Sequence, residues 1–261
     1  MSKLFGTDGI RGVADGAVAT SLRVSTCLAV FLLGTVVWVP GASAHKDDYL
    51  NETFVYRTLD KGEVELEFWS DLFSTGNDTE PRGIYIPTVE WGITDHFMLD
   101  TALEVRPGAG SEKLQRARTE LRYRFSEEGR HAVDFAVSLE YEWEREEETG
   151  QILQVLTPRL VLNRDFRKKL NVTLNLDAGT RIKGSPRFAP GYRLGVRYPD
   201  AGRVRYGVEL QELFPGRPEG LLIPQIWITP KKDISLRIGY AKRISHAGQK
   251  DHVRLGIEIE F

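Results

Sequence analysis

The chain has 261 residues, 41% of them hydrophobic and 28% charged, with a formal net charge of −2. That balance gives no electrostatic footprint for a nucleic-acid partner. Mean hydropathy is −0.31, and no apolar run reaches the roughly 20 residues of a spanning helix, which still leaves room for strands that cross a membrane with one polar face.

The amino terminus carries two messages. Residues 3–12 read KLFGTDGIRG. Over residues 3–15 the chain resembles the opening of the phosphoglucosamine mutase family, in which the arginine matching Arg11 sits near a catalytic phosphoserine. That family's Ser-His-Asn-Pro serine and Asp-Gly-Asp magnesium loop are both absent from the chain. Phosphoryl transfer cannot run without nucleophile or metal ligands, so residues 1–17 are read as an extension foreign to the rest. Next, Arg23 precedes the apolar run 27–39, Pro40 breaks it, and Ala42-Ser43-Ala44 follows. A basic start, an apolar core and an A-x-A site make residues 18–44 a secretory signal peptide cleaved after Ala44. Its removal takes the single cysteine, Cys27, and leaves the mature chain 45–261 without disulfide or thiol chemistry.

From residue 62 onward the pattern has period two, and about twelve strand-like segments can be drawn, within a range of about ten to fourteen. They cover residues 62–69, 83–93, 97–105, 114–125, 132–143, 152–162, 170–180, 192–198, 204–210, 221–228, 234–244 and 252–261. The fifth is the clearest. Val133, Phe135, Val137, Leu139, Tyr141 and Trp143 take one face, while Asp134, Ser138, Glu140, Glu142 and Glu144 take the other. In the last, Val253, Leu255, Ile257, Ile259 and Phe261 oppose Arg254, Gly256, Glu258 and Glu260.

Connections after odd-numbered strands are longer on average than those after even-numbered ones, and their modest length leaves little material for a plug. Between the fourth and fifth segments, Glu127-Glu128-Gly129 suits a type I turn with Gly129 in the left-handed bulge position. That turn predicts Tyr123 beside Val133, Leu121 beside Phe135, Arg122 beside Asp134 and Arg116 beside Glu140.

A final strand ending in Phe261 resembles the assembly signal of bacterial outer-membrane proteins. Together with the leader and an even strand count, residues 45–261 resemble the transporter-like outer-membrane barrels of Gram-negative bacteria. The resemblance implies an all-β, transmembrane, antiparallel up-and-down barrel. Its partners would be outer-membrane lipid, the barrel-assembly machinery and small polar solutes. Trp69, Trp91, Trp143, Tyr198, Trp227 and Phe261 fall near strand ends and are expected to form an interfacial aromatic girdle on the apolar face. The lumen-lining charges are expected to be Arg116, Arg118, Arg122, Arg124, Asp134, Glu140, Glu142, Arg193, Arg197, Arg205, Glu209, Arg237, Arg254 and Glu258. Facing basic and acidic walls set up a transverse field suited to a passive channel for small polar solutes. The alternatives are a non-conducting envelope barrel, a soluble periplasmic barrel or sandwich with its apolar faces inward, and an outer-membrane hydrolase. For the last, Ser245-His246 and Asp251-His252 share one loop, but adjacent residues of a strand point to opposite faces. No metal-ligand spacing, phosphate loop or dinucleotide fingerprint occurs, so no metal, cofactor or catalytic residue is expected.

Overall fold

The computed structural model describes residues 48–50, 53–73, 83–108, 111–145, 150–166, 169–183, 188–213, 219–245 and 251–261. The mutase-like segment, the leader with Ala42 and Ala44, and His246 lie outside the described residues. Twelve strands follow one another: β1 (Val64–Phe73), β2 (Gly83–Thr94), β3 (Phe97–Gly108), β4 (Ser111–Arg124), β5 (Asp134–Arg145) and β6 (Ile152–Phe166). The second half comprises β7 (Leu170–Lys183), β8 (Phe188–Tyr198), β9 (Val204–Leu213), β10 (Glu219–Lys231), β11 (Ile234–Arg243) and β12 (His252–Glu260). Each pairs antiparallel with its neighbours in sequence, and β1 pairs with β12 to close the ring. The closing register runs from Glu65 opposite Glu260 to Phe73 opposite His252. The polar faces of the first and last strands therefore meet on the inside.

The polarity of this barrel is inverted relative to a water-soluble one. Its outer face carries exposed Val89, Leu121, Val137, Leu139, Val208, Ile238 and Leu255. Its inner face buries Glu65, Glu67, Asp71, Asp100, Arg122, Arg159, Arg197, Glu209 and Arg237. An apolar belt of this extent has no place against water, whereas a closed ladder with an apolar outside satisfies every backbone group in lipid. This excludes the soluble sandwich, whose apolar faces would point inward. Exposed rings flank the belt. Trp91, Tyr123, Phe125, Phe166, Tyr198 and Tyr206 sit towards the end that holds the start of β1 and the carboxyl terminus, and Tyr141, Phe188 and Tyr240 towards the other.

Two expectations need correction. Trp69 and Trp227 point inward, 7% and 0% exposed, and do not join the girdle. Each indole lies over a wall glycine, Trp69 over Gly256 and Trp227 over Gly207, where a Cβ would collide with it. The β4–β5 register is also displaced by four residues from the tight-turn expectation: Arg116 faces Glu144, Leu121 faces Leu139, Arg122 faces Ser138 and Tyr123 faces Val137. The connection extends instead over residues 125–133, with Gly129 at φ 72° as the turn required. Asp134 accepts a hydrogen bond from the Gly129 N–H at 3.1 Å, and Phe125 stacks on Phe135 at 4.7 Å. An even shift keeps every side chain on its face, so alternation cannot distinguish the two registers.

Opposite residues of a strand pair lie within disulfide reach. A Leu121→Cys/Leu139→Cys variant should oxidise to a cross-linked barrel, while Leu121→Cys/Phe135→Cys should stay reduced. Mass spectrometry after mild oxidation reads the difference, and cross-linking of the second pair alone would restore the tight turn.

Candidate functional site: the occupied lumen

The interior is filled from the terminus-bearing end by residues 48–50 and 53–59, which lie inside the ring ahead of β1. Tyr49, Leu50, Phe54, Val55, Tyr56 and Leu59 are all at most 3% exposed. Sequence reasoning had no place for a plug, because the connecting loops are short. The plug comes from the segment before the first strand.

This segment folds on itself through the Tyr49 N–H to the Thr53 carbonyl (3.0 Å) and the Val55 N–H to Asp48 Oδ1 (2.6 Å). The wall then reads its backbone with side chains. Asn175 on β7 accepts from the Phe54 N–H at 2.8 Å and donates to the Phe54 carbonyl at 2.9 Å. Gln225 on β10 accepts from the Leu50 N–H at 2.9 Å, and Glu209 on β9 from the Thr53 N–H at 3.0 Å. Three arginines donate to its carbonyls: Arg122 to Val55 and Arg57, Arg237 to Asp48, and Arg254 to Leu50. Side chains are read as well. The Phe54 ring lies between the guanidinium groups of Arg122 (4.2 Å) and Arg159 (4.4 Å). The Tyr49 hydroxyl donates to Asn171 at 2.7 Å, and its ring meets Trp227 edge-on.

Two glycines of the inner face exist for this guest. A Cβ on Gly195 would stand 2.6 Å from the Tyr49 ring, and one on Gly239 would collide with the Leu50 methyl groups. Leu50 enters an apolar pocket made by Trp69, Ile84, Ile86, Ala102, Leu221, Ile223 and Ala241.

The terms holding the segment nearly cancel. Its buried apolar and aromatic side chains, at about 2 kcal/mol each, contribute about 12 kcal/mol. Hydrogen bonds to the wall add about 10 kcal/mol. Fixing the backbone of residues 48–50 and 53–60, together with their buried side chains, costs about 20 kcal/mol. The segment is seated with a small net margin.

The expected lumen charges are placed as follows. Arg118, Arg122, Arg193, Arg197, Arg205, Glu209, Arg237, Arg254, Glu140 and Glu258 are buried within the ring, and Arg116 and Glu142 are half-buried towards the end opposite the termini. Arg124 and Asp134 are buried at the terminus-bearing end, where they brace turns: Arg124 Nε donates to the Asp95 carbonyl at 2.6 Å and Asp134 holds Gly129. The arginines are paired. Arg254 grips Asp71 with two contacts of 2.5 Å, Arg116 bridges Glu104 (3.1 Å) and Glu142 (3.2 Å), and Arg237 joins Glu67 (3.2 Å) and Glu258.

The central network includes residues the sequence did not single out. Arg159 on β6 contacts Asp177 on β7 at 2.6 Å and also Glu120 on β4, which in turn meets Arg122 at 3.4 Å. Arg159 was missed because β6 reads LTPRLVL around it and offers no clear alternation. Phe261 follows β12 at the terminus-bearing end, its N–H bonded to the Val64 carbonyl at 2.9 Å.

Between Asp48, Tyr49, Leu50 and Phe54 of the plug and the wall around Glu67, Trp69 and Arg254 lies a small void of about 20 Å³. Towards the termini lies an open vestibule of about 790 Å³, lined by Arg57, His131, Asp134, Asp200, Arg205, Lys232 and Glu258 among others. The loop considered for hydrolysis does not assemble among the described residues. His252 is buried inside against Phe73, 4.0 Å from Asp71, whereas Asp251 is outside, bound to Lys242, Tyr240 and the Arg243 N–H. The Lys242 hydrogen bond, with that N–H, holds the Asp251 carboxyl down to about 2. Ser245 Oγ accepts from the Gly220 N–H at 2.8 Å.

No protein-family model matches the chain, and no curated protein matches it. Solved structures do. The NanC porin aligns at a TM-score of 0.57 and 10% identity, over 75% of this chain and 98% of its own. The KdgM porin aligns at 0.56 and 10%, over 76% and 99%. An outer membrane channel from Pseudomonas putida F1 aligns at 0.56 and 13%, over 79% and 98%. The likeness is one of fold. It extends over nearly the whole of each of those chains.

The Arg254–Asp71 pair tests how far the wall depends on its charges. Arg254→Ala leaves Asp71 buried beside no fork of donors, a loss of about 3–5 kcal/mol for a broken buried pair. The urea midpoint in micelles, followed by tryptophan fluorescence, should fall accordingly. Arg254→Lys should recover only part of it, because one ammonium cannot replace two parallel N–H contacts; an unchanged midpoint in both variants contradicts this.

Proposed function

We propose that the protein is an outer-membrane channel passing small polar solutes passively. The observation that carries this reading is the inverted closed barrel, apolar outside and charged inside, with an open vestibule of about 790 Å³ leading to the lumen. Fold likeness to porins and to an outer membrane channel supports it. In this reading residues 18–44 export the chain and are removed after Ala44, the barrel-assembly machinery engages the strand ending in Phe261, and residues 1–17 serve no role in the barrel. The chemistry is solute passage, without an enzymatic step. Ion-paired arginines and carboxylates along the wall supply donors and acceptors that replace water around a polar solute. A second reading, a non-conducting envelope barrel, is favoured by one observation: the lumen is occupied by residues 48–50 and 53–59.

Acidic side chains around the vestibule (Glu128, Asp134, Asp165, Asp200, Asp233, Glu258, Glu260) outnumber basic ones (Arg57, Arg164, Arg205, Lys232). The purified protein in planar bilayers should therefore give brief, small conductance steps with a reversal potential favouring cations. Silent bilayers, from protein whose gel mobility still shifts on boiling, would select the second reading.

A further inference from the structure

We propose that the lumen wall is a peptide-reading site, and that the segment ahead of β1, through its residues 48–50 and 53–59, is the resident ligand, displaceable by a free peptide of the same chemistry. The first ground is the closed ladder. Twelve strands in a ring leave no edge, so a peptide inside cannot be held by strand addition, the usual way an extended backbone is bound. Only side chains can read it.

They do so amide by amide. Asn175 takes both the N–H and the carbonyl of Phe54, Gln225 and Glu209 take the N–H groups of Leu50 and Thr53, and three arginines take carbonyls. These contacts come from strands β4, β7, β9, β10, β11 and β12, so the site surrounds its guest.

The second ground is the shape of the seat. Gly195 and Gly239 stand where any Cβ would strike Tyr49 or Leu50, and two guanidinium groups face the Phe54 ring from within 4.4 Å. The pattern selects a short peptide with an aromatic residue held between arginines and an apolar residue a few positions before it. With the leader removed after Ala44, this guest is the start of the mature chain. It competes with any such peptide for the path a solute would take. The inference rests on the channel reading for that last point, but the binding itself can be measured without conduction.

The test uses a fluorescent decapeptide with the sequence of residues 48–57 and the full-length barrel in detergent, with binding read by anisotropy. Phe54→Ala, which loosens the resident, should bind the decapeptide at least about tenfold more tightly than the wild type does. Adding Asn175→Ala to that variant should reverse the gain. A Leu50→Cys/Gly239→Cys variant, probed with the decapeptide carrying Leu50→Ala so that its side chain clears the new Cβ, should cross-link on oxidation, refuse that peptide while oxidised and accept it when reduced, with boiled and unboiled mobility confirming a folded barrel in each case. Equal binding to oxidised and reduced forms, or no binding to Phe54→Ala, overturns the proposal. Conductance recorded on the same samples separates the two ideas: a barrel that binds peptide yet never conducts defeats the channel reading and leaves the site intact.

Discussion

Everything in this molecule follows from closing the ladder. Once β1 meets β12, each strand pairs along both sides with its neighbours and the ring leaves no open edge for a further strand. The outer face is then free to be apolar, because lipid asks nothing of it. The inner face must do all recognition with side chains. Buried charges are tolerable there only in company. Arg159 with Asp177 and Glu120, Arg254 with Asp71, and Arg237 with Glu67 and Glu258 are the result. Burying an ion costs several kcal/mol, which partners and hydrogen bonds must offset.

The same constraint explains the plug. A lumen lined with paired charges and a few apolar side chains is neither a dry core nor an empty pipe. Residues 48–50 and 53–59 supply further partners: carbonyls for three arginines, amides for Asn175, Gln225 and Glu209, and the Leu50 side chain for the pocket around Trp69. The proposed peptide site and the proposed channel meet in this segment, since under both readings what matters is how often it leaves its seat.

Much of the barrel was legible in the sequence. Strands such as β5, β7 and β12 alternate without a break, and the even count followed from the turn signals. The terminal strand's polar face could be set against Glu65 and Glu67 from parity alone, and Glu67 does face Glu258. Parity also held a signal that was overlooked: Trp69 shares its face with Glu65 and Glu67, which places it inside. What alternation cannot carry is register, since a four-residue slip between β4 and β5 changes every partner and no face. Nor could it carry the plug, because residues 48–60 have no period of their own. The trace of it lies elsewhere, in Gly195 and Gly239 on the inner face, where a Cβ would meet the Tyr49 ring and, at Gly239, the Leu50 side chain ahead of Pro224 and Gln225 of the wall.

The central claim is the inverted polarity, and the tryptophans report on it directly. Single-tryptophan variants in vesicles whose acyl chains carry bromine, a contact quencher, would separate the two faces of the wall. Trp91 is 46% exposed on the outer face, whereas Trp69 and Trp227 lie inside at 7% and 0%. The account predicts strong quenching for the variant retaining Trp91 and little for those retaining Trp69 or Trp227. Quenching of the inner pair with Trp91 spared would contradict it.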